Sequence, residues 1–203
     1  MNKEETTFKE KKIVYFDKMG SFNTEHVLRL AKERFDELGL KHVIVATSFG
    51  DTPVKALNYF KGEELVVVNS MYGFREPGKR SIKEEHRKIL EDAGARMIYQ
   101  THVFAGIDRS INRKYGGITK IQFIGQIFKM VGEGFKVCVE EAVMAADSGG
   151  VPVGEEVIAI AGTGRGADTA IVLVPAHSND FFSLQFKEII CMPRVRSEKG
   201  QPI

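Results

Sequence analysis

Two hydrophobic periods alternate along the chain. Short runs rich in β-branched residues read as strands: Ile13-Val14-Tyr15-Phe16, Val43-Ile44-Val45-Ala46, Leu65-Val66-Val67-Val68, Arg96-Met97-Ile98-Tyr99 and Val157-Ile158-Ala159-Ile160-Ala161. The second, third and fifth are apolar throughout, the composition of strands buried on both faces. Between the strands the period becomes helical. Asn23 or Thr24 can cap a helix to about Leu38, with Val27, Leu28, Leu30, Ala31, Phe35 and Leu38 on its apolar side and Gly39 at its end. A second helix is expected from Pro53 to about Phe60, capped by Thr52. A third is expected from a Ser81 cap to about Ala93, with Glu84 completing a capping box. Ile118 to Ala146 is helical and strongly apolar, broken near Gly132 and Gly134 and stopped by Gly149-Gly150. Val103 to Gly117 shows no period and reads as a long connecting loop.

The fifth strand is followed by Gly162-Thr163-Gly164-Arg165-Gly166-Ala167-Asp168 and then by another apolar run, Thr169 to Val174. The glycine spacing is not G-x-G-x-x-G and no helix follows, so this is not a dinucleotide-binding turn. Strand, short loop and strand make a hairpin, with Asp168 to Val174 antiparallel to Val157 to Ala161. Its glycines either serve the turn or let a ligand approach the backbone. Alternating strands and helices predict an α/β fold in three layers, a mostly parallel sheet with one antiparallel strand from this late hairpin. At 203 residues a single domain over 1–203 is the default, with 1–12 and 195–203 as loose tails.

In parallel sheets ligands bind beyond the carboxyl ends of the strands. Here those ends are Asp17, Thr47-Ser48, Asn69-Ser70, Thr101-His102 and Gly162-Thr163, all small or polar, while the opposite connections are ordinary tight turns. The stretch VIVATSFGDTPVKAL, Val43 to Leu57, joins a buried strand to a helix through Thr47-Ser48-Phe49-Gly50-Asp51-Thr52. Free amides at a helix start and three hydroxyls suit a phosphate, although most capped helices hold nothing. Replacing Gly50 by valine is therefore expected to abolish ligand binding without unfolding the protein. Arg165 at the hairpin tip can clamp an anion, or simply be solvated. Phe49, Tyr72, Phe74 and Phe104 can flank a planar ring or merely pack. His102 and His177 can reach the same edge, and Arg109, Ser110, Asn112 and Arg113 emerge above it.

Composition removes several functions. With 29 basic and 27 acidic residues in mixed order, net +2, the chain lacks the basic footprint of a nucleic-acid binder. No apolar run is long enough for a bilayer, and the charged N-terminus has no signal core, so a cytoplasmic protein without membrane contact is expected. The two cysteines, Cys138 and Cys191, read as reduced thiols. No metal motif and no Gly-x-Ser-x-Gly elbow occurs, and no residue is assigned a catalytic role.

VIVATSFGDTPVKAL, LVVVNS and VIAIAGTGRGADTAIVLVP together resemble the C-terminal domain of pyruvate kinase, over roughly Lys41 to Pro175. The whole chain resembles more closely a small family of stand-alone archaeal proteins of that fold. The matching stretches are GFRE (Gly73 to Glu76), GFKVCVEEAVMAAD (Gly134 to Asp147), EEVIAIAGTGRGADTA and PAH (Pro175 to His177). The resemblance implies bound flavin mononucleotide and a phosphate site at Thr47, Ser48, Phe49, Gly50 and Thr52. Gly73, Phe74, Arg75, His102, Thr163, Gly164, Arg165 and Gly166 complete the candidate set. Pyruvate kinase has a basic residue after the loop glycine where this chain has Asp51, and its catalytic barrel is not in this sequence, so kinase activity does not carry over. The expected partner is a small phosphorylated ligand, with room for a homo-oligomer. The alternative is a non-catalytic regulatory domain that senses a phosphorylated metabolite.

Overall fold

The computed structural model describes residues 8–195. Thirteen regular elements follow one another: β1 (Val14–Phe16), α1 (Thr24–Leu38), β2 (Val43–Thr47), α2 (Asp51–Ala56), β3 (Leu65–Ser70), α3 (Glu84–Asp92), β4 (Arg96–Gln100), α4 (Asp108–Tyr115), α5 (Lys120–Lys129), α6 (Glu133–Asp147), β5 (Val157–Ala161), β6 (Thr169–Val174) and β7 (Gln185–Pro193). The strands form one sheet in the order β1-β7-β6-β5-β2-β3-β4. All neighbours are parallel except β6, which runs antiparallel to β5 and β7. The hairpin is in the expected place: Val157 stands opposite Leu173 and Ala161 opposite Thr169.

The two faces follow from the period-2 alternation of each strand. Val43, Val45, Leu65, Val67, Ile158 and Ile160 face α1, α2 and α3. Ile44, Val66, Val68, Ile98, Ala159 and Leu173 face α6. Helix α6 is buried nearly all round, from Gly134 and Phe135 and then from Cys138 to Ala146, so it is the central helix of its layer. It can press onto β6 because residue 134 is glycine: a Cβ there would lie 2.3 Å from Thr169 Oγ1.

Several local expectations are corrected. Helix α2 starts at Asp51, not Pro53, and ends at Ala56; its cap position is Gly50, and Thr52 lies inside it. Helix α3 starts at Glu84 behind Lys83, so Ser81 does not cap it and no capping box forms. The reason is that the Lys83 amide donates to Phe49 O at 3.2 Å, drawing the chain out in extended form beside the β2–α2 loop. Asn23 does stand before α1, but its amide donates to Lys18 O and caps nothing. The expected loop from Val103 to Gly117 contains α4, which has no buried residue and so no apolar stripe to reveal it. Strand β7 extends the sheet beyond β6 and gives β1 its partner. Residues 1–7 and 196–203, most of the expected tails, lie outside the described residues.

Candidate functional site

The sheet opens a crevice where the chain changes direction. From β2 the chain leaves through α2 to one face. It returns to β5, on the other side of β2, only after crossing the second face through α6. Such switch points are where parallel sheets hold ligands. A cavity of about 640 Å³ lies there, within the usual range for small-molecule sites. It is walled by the β2–α2 loop, the ends of β3 and β4, the β5–β6 hairpin and the cavity side of α6.

Local hydrogen bonds shape the loop wall. Thr47 Oγ1 accepts from the Gly50 amide at 2.9 Å, which curls the loop and leaves the Thr47 hydroxyl proton free to donate elsewhere. Phe49 O accepts from the Lys83 amide and, at 2.9 Å, from His86 Nδ1, so His86 carries its proton on Nδ1. Asn69, fully buried at the end of β3, donates to Ser48 O at 3.3 Å. Gly50 adopts φ 95°, and a Cβ there would sit 2.5 Å from His86 Cβ. Its role is to set the loop, and it does not line the cavity. The expectation that valine at this position spares the fold is therefore corrected: strain and collision fall on the scaffold first.

The hairpin wall is tied to the start of α1. Asp168 is fully buried; its Oδ2 accepts from the Gly20 amide at 3.0 Å and the Thr163 amide at 3.1 Å. Thr24 Oγ1 accepts from the Ala167 amide at 3.0 Å. These bonds hold Gly164, Arg165 and Gly166 against the cavity beside Ser21 and Thr24. Cations ring this end. Lys55 pairs with Glu25 at 3.4 Å and Lys83 with Asp51 at 3.3 Å, both at the surface. Arg165 has no carboxylate partner among the described residues, and its guanidinium lies 5.3 Å from the centre of the Phe49 ring. Asp51 thus has a cation of its own, although it too lines the cavity.

The opposite end is different. His102 meets the edge of Phe74 at 4.8 Å, and Arg109 lies 4.7 Å over the same ring. Burial pushes the His102 imidazole below its ordinary range, with Lys136 and Arg109 acting the same way and Glu140 opposing, so the ring is neutral at neutral pH. On α6, Glu140 Oε1 accepts from the Phe104 amide at 2.9 Å and Oε2 pairs with Lys136. The adjacent Glu141 is buried, and its Oε2 has no partner among the described residues. Burial first, then the neighbouring Glu140, push its carboxyl well above the ordinary range, with Lys136 opposing.

Of the residues expected from sequence, Thr47, Ser48, Phe49, Thr52, Phe74, His102, Gly164, Arg165 and Gly166 do line the cavity. Gly50, Gly73, Arg75 and Thr163 do not. Gly73 turns a separate loop by donating to Lys79 O, and the Thr163 amide is spent on Asp168. Arg75 is exposed and lies 4.7 Å over the Phe49 ring, so that ring already has two guanidinium neighbours. Tyr72 packs with Tyr99 and Arg80, and Phe104 is in the core, so neither offers a ring face here. His177 follows the antiparallel β6, which delivers it to the opposite edge, where it meets Asp147 at 3.4 Å. Of the residues expected above the edge, only Arg109 reaches the cavity. Lys136, Glu140 and Glu141 were not expected; the signal available was two adjacent charges in the middle of an apolar helix.

Among the described residues no group of three or more His, Cys, Asp or Glu could hold a metal ion, and no helix is long and apolar enough to cross a membrane. Fold and crevice define an open α/β protein with a cleft at the carboxyl edge of the parallel strands. Residues 25–173 match the family model of the pyruvate kinase alpha/beta domain, and the chain belongs to that family.

Proposed function

We propose that the cavity binds a phosphorylated, ring-bearing cofactor, flavin mononucleotide first among candidates. The observation that carries this reading is the division of one cavity into two chemistries. Hydroxyls and cations (Thr47, Ser48, Lys55, Lys83 and Arg165) line it from the β2–α2 and β5–β6 loops and the segments beside them; a neutral imidazole, an aromatic ring, buried carboxyls and the cations Arg109 and Lys136 line it from the β3, β4 and α6 side. The first side suits a phosphate, because exposed ion pairs such as Lys83–Asp51 are weak and can be redirected to a stronger anion. The second suits a planar heterocycle with polar edges. The donor set and the volume fit the group, and the identity of the cofactor rests on the resemblance to the stand-alone archaeal family. When bound, a flavin supplies electron-transfer chemistry. Ser48, Thr47 and Arg165 would hold its phosphate, and Phe74, His102 and Arg109 would border its ring. Phosphoryl transfer is not proposed: the family match is to the alpha/beta domain.

Titration of the ligand-free protein with flavin mononucleotide and with riboflavin tests the reading. A phosphate in this loop makes charge-assisted hydrogen bonds of about 1.5–3 kcal/mol each, so riboflavin should bind at least about tenfold more weakly. Equal affinity would deprive the loop of its role. The second reading, a regulatory site for a phosphorylated metabolite, is favoured by the exposed, exchangeable cations of the loop wall. Binding of sugar phosphates with no binding of either flavin would select it.

A further inference from the structure

Helix α6 brings three glutamates to the cavity wall, and the two cations that pair with them, Lys129 with Glu133 and Lys136 with Glu140, leave Glu141 without one. Lys136 is the ammonium available on this helix, and Glu140 takes it together with the Phe104 amide. Glu141, one residue on, also lines the cavity yet has no share in that pair. Its Oε2 is sealed off from solvent without a partner. The other charged and titratable groups on the cavity wall do not pair with it: His102 is neutral, Glu133 pairs with Lys129, Lys55 with Glu25 and Lys83 with Asp51, while Arg109 lies over Phe74 and Arg165 over Phe49. A buried carboxylate with no partner is far costlier than a neutral acid, so the proton stays. An unpartnered carbonyl-type oxygen is in turn tolerated better than an unpartnered hydroxyl. The sealed Oε2 is therefore the carbonyl-like atom, and the hydroxyl belongs on the oxygen that meets the cavity.

We propose that Glu141 is a neutral carboxylic acid that donates a hydrogen bond to an acceptor on the ring of the bound ligand, a carbonyl oxygen or an unprotonated ring nitrogen. This rests on the reading of the cavity as a site for a phosphorylated heterocycle and extends it to the far end. The donor selects rings that present acceptors there and rejects those that present a donor or a carboxylate, because either would leave buried polar groups unpaired. Glu140 and Lys136 are positioning residues in this scheme: their ion pair occupies the cation that would otherwise ionise Glu141.

The test uses the full chain, flavin mononucleotide as probe, and the variants Glu141→Gln and Glu141→Leu, each first shown to melt cooperatively. Glutamine still donates, so E141Q should bind within about threefold of wild type, whereas E141L should lose at least about tenfold. Infrared difference spectra of the wild type, free minus bound, should show a protonated-carboxyl band that shifts to lower frequency on binding and is missing from E141Q. A merely structural glutamate would give no such shift. E141L binding as tightly as wild type, or a wild-type spectrum without a shifting carboxyl band, overturns the role of Glu141 while leaving the cofactor reading intact. Wild type that binds no flavin overturns the cofactor reading, and this extension with it.

Discussion

The β2–α2 wall of the cavity keeps its charges in water, whereas the α6 wall buries them. On the loop side Lys83 and Asp51 are 47% and 59% exposed; on the helix side Lys136 and Glu140 are 14% and 3% exposed. The loop pair is of a kind that contributes little and exchanges readily. The helix pair is held in low dielectric, with the backbone amide of Phe104 as a third member, and cannot lose a partner cheaply. One cavity thus has an adaptable end and a preorganised end. An incoming anion can be met by rearranging side chains at the first. A ring at the second must fit groups already fixed.

The largest expected effect comes from breaking the fixed end. Glu140→Ala removes the partner of a nearly buried ammonium and the acceptor of the Phe104 amide, and should cost about 3–5 kcal/mol by denaturant unfolding. The corresponding Asp51→Ala on the loop side should cost at most about 1 kcal/mol. Similar losses for the two would erase the contrast. A smaller loss for E140A would also arise if Glu141 ionised to take over Lys136, and the double variant E140A/E141Q separates that case by losing more than the two single changes together.

Next comes the loop scaffold. Gly50→Val forces a side chain onto φ 95° and into His86 Cβ, which is 2.5 Å from where its Cβ would lie. The left-handed conformation costs about 1–2 kcal/mol and overpacking about 1–3 kcal/mol, so a total of about 2–5 kcal/mol is expected. Gly50→Ala should fall in the lower part of that range. Full stability of the valine variant would show that the loop is as adaptable in its backbone as in its side chains.

The same contrast explains what could be read from the sequence. The loop wall is local: strand, polar turn and helix succeed one another within fifteen residues, and each part has its own composition, so Thr47, Ser48, Phe49 and Thr52 were found. Even there the cap was misplaced, because the chain is drawn by Lys83 and His86 from a distant segment. The helix wall is nonlocal. Glu140 and Glu141 make sense only once β4 and the Phe104 turn are brought against α6, and in a strongly apolar helix they were passed over. Strand β7 escaped for another reason: its first residues are exposed and its last are buried, so no single period runs through it.

The smallest expected effect sharpens the comparison at the helix end through pH. His102 and Glu141 share that end, and both are shifted toward their neutral forms, but their linkage to stability has opposite sign. Burial lowers the His102 pKa below its ordinary 6.5. In the window between that value and the lowered one, the unfolded chain holds a proton that the folded protein refuses. Stability from His102 is therefore present above 6.5 and is lost as pH falls through the window. Burial raises Glu141 above its ordinary 4.5, so above that value the folded protein holds a proton that the unfolded chain has released. Its contribution is full below 4.5 and is lost as pH rises. Each proton contributes a slope of at most about 1.4 kcal/mol per pH unit, and in the wild type the two slopes oppose each other where the windows overlap. His102→Gln should remove the acid-side loss, and Glu141→Gln should remove the alkaline-side loss, in unfolding free energies measured across that range. If H102Q retained the wild-type acid-side slope, the imidazole would not be held neutral by this wall, and the far end of the cavity would be wetter and less preorganised than its geometry implies.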